Sequence, residues 1–374
     1  MKITFLIQDL FQQGAQYVTA LMVRGFISKG YSVDLILSKV HADLLAKNDI
    51  KPFEVPESTN VIILKDRKAR NNIREIRFYL KQTDSKAIIA MSPNYATALA
   101  LASIGLHKRP KIAYVEHSSY AGINPQTGRD LSVPRFFSIA TLRSWLVDRR
   151  FDTVMAVSKG TAKGVERTGR LKEGVVKVVY NPVVDAEYQR KLSQESRHPW
   201  LLNKIQPTIV AAGAHCTFKN HYVLFEAIKI VNTITPVRLI LFGKGDLTES
   251  YKAWIATNNM QDKIMLSGHT SNLPAELKNA DIFVISSNVE SFSVVLVEAL
   301  AAGVPIISTK CPYGPPELLH NGEYGTLVPT NDPKAMAQAI IDQLQNPRQA
   351  APRESWEPYL LDNVVESYER ALHL

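Results

Sequence analysis

Twice along this 374-residue chain, short apolar runs alternate with longer amphipathic segments, and that alternation restricts the fold more than any other feature. Apolar runs of this length, bounded by turn residues, suit strands buried on both faces. Strands alternating with helical patterns form βαβ units around a parallel sheet. In the first half the pattern predicts strands at 3–7, 33–37, 61–64, 87–90, 112–115, 153–157 and 176–179, with a helix over 17–29 stopped by Gly30. VVYNPVVD is followed by EYQRKLSQESRHPWLLNKIQP, which is polar, lacks a clear period and reads as a linker. The alternation then restarts. Strands are expected at 208–212, 237–243, 264–266, 282–285, 305–308 and 326–328, and helices over 219–231, 249–257, 274–279, 294–302, 312–320 and 333–345. The fold class is therefore α/β, with doubly wound domains at 1–182 and 183–350. The tail 351–374 is expected as a helix packing back toward the first domain. Ligands in such sheets bind at the carboxyl ends of the strands, which points to the cleft between the domains.

The stretch 286–309, SSNVESFSVVLVEALAAGVPIIST, carries the clearest chemistry. Ser286 and Ser287 close a strand, Glu290 lies in the following loop, and Ser293 is positioned as the N-cap of a helix over 294–302. Gly303 can stop that helix in the left-handed conformation. Glu298 sits one turn in, where the helix dipole alone would favour an acid. Free N–H groups at a helix start bind phosphate, and a carboxylate on either side can take hydroxyls. That combination suits a nucleotide bearing a sugar.

Charge and cysteine content narrow the function class. The net charge is +9, but residues 1–180 hold 28 basic and 15 acidic residues while the rest hold 16 and 20. The first half is thus expected to face something anionic, such as a lipid surface or a phosphorylated acceptor. Within it, DRKARNNIREIRFYLKQ sets Ile73, Ile76 and Leu80 on one helical face and Arg67, Lys68, Arg70, Arg74, Arg77 and Lys81 around the remainder. Both a basic helix on an anionic membrane and a solvated crossover helix fit this pattern. Arg143, Trp145 and the DRR at 148–150 are candidates for the same cationic surface. No reader motif or stacking platform accompanies the charge, so nucleic acid is not an expected partner. Cys216 and Cys311 lack metal or disulfide spacing. No apolar run reaches the length of a membrane span, and the expected location is cytoplasmic, with peripheral contact at the cytoplasmic membrane face.

Several motifs in order resemble the retaining glycosyltransferases of family 4, which have the GT-B architecture of two Rossmann-like domains facing across a cleft. Glu290-SFSVVLV-Glu298 matches the family's E-x7-E element. GAHCTFKN (213–220), LFGKGD (241–246), SGHTSNLPAELKNADIFVISS (267–287), CPYGPPELL and GEYGTLVP follow the family order, as do VEHSS (115–119), AVSKG (156–160) and YNP (180–182). The resemblance implies transfer of a hexose or N-acetylhexosamine from a nucleoside-diphosphate sugar, a UDP-sugar foremost, to a hydroxyl of a glycan or lipid-linked acceptor in surface polysaccharide or glycoconjugate synthesis. It implies Glu290, His117 and Lys219 at the reaction centre. Glu290 and the backbone of Ser291, Phe292, Ser293 and Val294 would hold the donor sugar and distal phosphate, and Glu298 the ribose. Gly213, Gly243 and Gly245 would let the chain approach the nucleotide, His269 and Thr270 would hold the base, and Gly14 would belong to a loop over the diphosphate. No further cofactor is implied, and with no DxD in the chain no metal is expected.

The sequence departs from the family at Ala214, where an arginine usually clamps the diphosphate. His215 and Lys244 are the candidates to replace it. Ser291 stands where a glycine is usual. Two other readings compete: a nucleotide-sugar-binding or scaffold protein with little or no transfer, and an α/β-hydrolase using Ser158 in AVSKG. The second lacks the first glycine of a nucleophile elbow, which is Ala156 here.

Overall fold

The computed structural model describes residues 1–11, 14–47, 51–118, 149–169 and 171–374. Arg143, Trp145 and Asp148 fall outside them. The chain divides into two compact units. One contains the described residues from Met1 to Pro182 together with Tyr359–Leu374; the other contains Val183–Pro358.

The first unit is a parallel sheet in the order β3-β2-β1-β4-β5-β6-β7. Its strands are β1 (Lys2–Leu6), β2 (Ser32–Leu37), β3 (Asn60–Ile63), β4 (Ala87–Ala90), β5 (Lys111–Glu116), β6 (Thr153–Ala156) and β7 (Lys177–Val178). Helices α1 (Gly14–Ser28), α2 (Lys39–Lys47), α3 (Ile73–Gln82) and α4 (Pro93–Ala102) make the first crossovers. The order reverses between β1 and β4, and both are apolar runs buried on each face. The C-terminal helix Leu361–Leu372 lies on α1 in this unit. Gly25 permits the approach, because a Cβ there would stand 2.6 Å from Val365 Cγ2. The Tyr31 hydroxyl donates to Glu369 at 2.8 Å, and Lys29 pairs with the same carboxylate at 3.2 Å.

The second unit repeats the plan in the order β10-β9-β8-β11-β12-β13. Its strands are β8 (Thr208–Ala212), β9 (Arg238–Phe242), β10 (Ile264–Gly268), β11 (Ile282–Ile285), β12 (Ile306–Thr309) and β13 (Thr326–Val328). Here β8 and β11 are neighbours whose connections leave in opposite directions, so a crevice opens beyond their carboxyl ends.

Three local expectations need correction. Residues 187–207 are no free linker: helices Ala186–Leu192 and Pro199–Leu202 run through them. Asp185 caps the first by accepting from Tyr188 N at 2.7 Å, while Tyr188, Ser196, His198 and Leu201 are buried. These helices are too short to show a period, which is why they were illegible. The helix expected from residue 219 starts at His221, because Asn220 takes a left-handed conformation (φ 49°) and closes a 3₁₀ turn, Thr217–Lys219, ahead of it. The basic segment is likewise a 3₁₀ turn, Ala69–Asn72, leading into α3. Its Ile76 and Leu80 are buried as a crossover helix requires.

Candidate functional site

The crevice of the second unit gathers the residues that the sequence marks there. Past β8 the chain runs through Gly213 to the turn bearing Lys219, and past β11 it reaches Glu290 and the helix Val294–Ala302. The Lys219 Nζ donates to Glu290 Oε1 at 2.6 Å, with both side chains largely buried. Burial alone would lower the lysine, but the Glu290 charge and hydrogen bond outweigh it and hold Lys219 above its ordinary range. Taking one member from such a pair costs roughly 3–5 kcal/mol, since the other charge is left without compensation.

The pair is held by contacts that sequence reasoning did not find. Ser287 donates to the same Glu290 oxygen at 2.7 Å, and Ser286 donates to the Lys219 carbonyl at 2.9 Å. The Glu290 carbonyl accepts from Gly314 N at 2.9 Å. Gly314 has no room for a side chain, because a Cβ would meet Phe292 O at 2.2 Å. The serines and the glycine stand in motifs of the family order, but nothing local indicates that they close around one ion pair.

Two non-glycine residues beside Glu290 have positive φ: Ser293 (φ 81°, ψ 81°) and Tyr313 (φ 77°, ψ −102°). Such conformations cost about 1–3 kcal/mol each and concentrate at functional sites. This corrects the N-cap expectation. Ser293 precedes the helix but makes no side-chain cap, and its buried hydroxyl has no hydrogen-bond partner among the described residues. The helix does end at Gly303 in the left-handed form (φ 74°).

The remaining residues line the same sheet edge. Gly243 (φ 121°) follows β9, where a Cβ would stand 2.0 Å from Gly213 O. At Gly245 a Cβ would meet His215 O at 2.6 Å. Both glycines therefore serve the close approach of the loops after β8 and β9. His269 is exposed beyond β10, and the Thr270 hydroxyl accepts from Asn272 N at 3.1 Å. Ser291 and Val294 are half-buried and Phe292 is buried. Glu298 lies one turn into the helix, half-buried, and burial raises its carboxyl to about 7 against the opposing pull of Lys191. Lys191 comes from the segment that reads as linker, so the sequence gives no sign of it.

His215 does not replace the absent arginine. It is fully buried, its Nδ1 is 2.8 Å from the Thr248 hydroxyl, and burial with the nearby His269 holds it below the usual histidine range, so it is neutral. Lys244 is exposed, and its carbonyl accepts from His215 N at 3.1 Å, which ties its loop to the one bearing Ala214.

Gly14 and His117 belong to the first unit. Gly14 is the exposed first residue of α1, and a Cβ there would meet nothing within 4 Å. His117 follows β5 in a turn organised by Glu116, which accepts from Ser118 N at 2.7 Å and from the Tyr114 hydroxyl at 2.5 Å. Burial lowers its imidazole to about 4, so it is neutral near pH 7. Ser158 is a helix cap rather than a nucleophile. It is buried, accepts from Thr161 N at 3.1 Å and donates to Thr161 Oγ1 at 2.9 Å, which removes the basis for the hydrolase reading. Among the described residues no three His, Cys, Asp or Glu side chains cluster as a metal site, and no helix is long and apolar enough to cross a membrane.

Strand order and crevice together place the chain among tandem doubly wound α/β proteins, whose ligands sit at strand carboxyl ends. Two family models then match in succession, Glycosyltransferase Family 4 over residues 13–187 and Glycosyl transferases group 1 over residues 193–359, and the chain belongs to this glycosyltransferase family. Among curated relatives, the Campylobacter jejuni N-acetylgalactosamine-N,N'-diacetylbacillosaminyl-diphospho-undecaprenol 4-alpha-N-acetylgalactosaminyltransferase is 26% identical over 52% of this chain and 51% of its own. The Bacillus anthracis N-acetyl-alpha-D-glucosaminyl L-malate synthase is 23% identical over 52% of each chain. The match thus spans about half the length of these relatives. The crystal structure of Anabaena Alr3699/HepE in complex with UDP superposes over 100% of both chains with a TM-score of 0.77 at 17% identity, a likeness of fold that is GT-B.

Proposed function

We propose that the protein transfers a hexose or N-acetylhexosamine, with retention at the anomeric carbon, from a UDP-sugar to a hydroxyl of a glycan or lipid-linked acceptor. The observation that carries this reading is the Lys219–Glu290 pair at the switch point, beside the strained Ser293 and the helix start. In this reading a diphosphate arriving at the crevice shares the Lys219 ammonium with Glu290, and Lys244 supplies the second cation that Ala214 cannot. Charge growing on the leaving diphosphate is then met by groups already in place, the largest electrostatic contribution such a site can make. Glu290 positions the donor sugar, with the backbone from Ser291 to Val294, while Glu298 takes the ribose hydroxyls and the backbone at His269 and Thr270 the base. Gly213, Gly243 and Gly245 let the loops after β8 and β9 close together, and the nucleotide lies along them. For Gly14 and His117 the same reading assigns roles at the diphosphate and at the transferred sugar, the neutral imidazole acting through hydrogen bonding.

Attack comes from the face the leaving group departs, a donor phosphate oxygen taking the acceptor proton. The proposal includes no cofactor beyond the nucleotide sugar and no metal. The relatives' names support a place in glycoconjugate synthesis, and the location proposed with it is the cytoplasmic face of a membrane. A donor panel read by nucleotide release tests it, with the anomeric configuration of the product read by NMR. UDP release dependent on an acceptor, unchanged by chelator, is the expected result. Tight UDP-sugar binding with no transfer across a broad acceptor panel would instead favour a binding or scaffold protein. Inverted product, or activity lost to chelator and restored by Mg²⁺, would each overturn part of the mechanism.

A further inference from the structure

The first unit has a cavity of about 500 Å³ that none of the residues assigned above lines. It lies at the carboxyl edge of the sheet and is built by the connections after β1 (Gln8), β3 (Arg67 to Ile73) and β4 (Asn94 to Leu101). Arg67, Lys68 and Arg70 stand on one wall, with Ile73, Ala98 and Leu101 forming an apolar part.

The loop that carries the cations is pinned. The buried Asn72 side chain donates to Asp66 O at 2.9 Å and accepts from Asp66 N at 3.0 Å, which pins the loop. Asp66 accepts from Lys68 N at 2.8 Å, and Arg67 pairs with Asp43 at 2.6 Å. Lys68 and Arg70 are exposed and form no ion pair among the described residues, and the Lys68 N–H and charge help to hold the Asp66 carboxyl below its ordinary range. Even with Asp66 and Asp43 counted against the three cations, the wall keeps a positive excess.

We propose that this cavity takes a phosphate ester, and, resting on the transfer function above, that the phosphate belongs to the acceptor. Lys68 and Arg70 hold the phosphate or diphosphate, with Arg67 behind them, while the apolar part receives what the phosphate is attached to. Two sources share this chemistry, a prenyl diphosphate and a soluble polyol phosphate. The crossover from β3 thus serves to select acceptors by charge.

Equilibrium binding of farnesyl diphosphate below its micelle concentration and of a short glycerol-phosphate oligomer tests this, with farnesol and an uncharged glycerol oligomer as counterparts. At least one phosphate probe should bind about tenfold more tightly than its counterpart, and which one does so names the source. In the Lys68→Ala, Arg70→Ala double variant that advantage should fall about tenfold, as two charge-assisted contacts at a solvent-open site would give. The exposed pair Lys108→Ala, Lys172→Ala should leave it unchanged. Equal binding of charged and uncharged probes, or an equal loss in the control pair, would overturn the proposal. UDP titrated into the same samples tests the donor site on its own, so failure there and failure at the cavity are told apart.

Discussion

Glu298 sits half-buried on the helix beyond the ion pair, with its carboxyl raised to about 7. An unfolded chain would bind that proton only below about 4.5. Between these values the folded protein holds more protons than the unfolded one, so this group makes stability fall as pH rises, and the cost is complete above about pH 7. Glu298→Gln should therefore raise stability at pH 8 by up to about 3 kcal/mol and leave it unchanged at pH 4, as read by denaturant unfolding. Ribose hydroxyls donate to a carboxylate, so in the proposed role UDP affinity increases as pH rises through about 7 and binding releases a proton. Calorimetry in buffers of different ionisation enthalpy would detect that proton in the parent and not in the variant. No pH dependence of UDP binding in the parent would remove Glu298 from the ribose.

The crossover α3 bears on a question that the sequence leaves open. Ile76 and Leu80 pack inward, which fits the plain crossover, yet Arg74, Phe78 and Lys81 are exposed along one stripe and Phe78 is 62% exposed. A phenylalanine between cations can enter a lipid interface while they meet anionic headgroups. Arg77 does not belong to that stripe, since its guanidinium donates to Ala102 O at 2.9 Å and Ile104 O at 2.6 Å. Arg74→Glu with Phe78→Ser should weaken sedimentation with phosphatidylglycerol vesicles by about tenfold and leave UDP affinity alone. Vesicle binding that is unaffected, or missing in the parent, would make α3 a solvated crossover only. Arg77→Ala, by contrast, should cost roughly 1–3 kcal/mol of stability by stripping two backbone carbonyls of a charged donor.

At the scale of the molecule, the C-terminal helix returns to the first unit and is fitted there by Gly25, a position with no glycine-specific dihedral of its own. Gly25→Leu should drive the helices apart, because even a Cβ stands 2.6 Å from Val365 Cγ2. A fall in melting temperature of several degrees is expected, and an unchanged melting curve would mean that the helix contributes little to the stability of that unit.

Repeated βαβ periodicity determined two parallel sheets from the sequence alone, because alternation of short apolar runs with amphipathic segments is a local property. The E-x7-E spacing at Glu290 and Glu298 was legible for the same reason, since a strand end, loop and helix start lie within one stretch. Tertiary structure alone decided what Glu290 touches. Lys219 is 71 positions away and Gly314 lies beyond the next strand, and only the parallel register of β8, β11 and β12 brings them to one edge. The neutrality of His215, the retirement of Ser158 into a helix cap and the raised carboxyl of Glu298 were hidden likewise, because burial is a property of the packed chain.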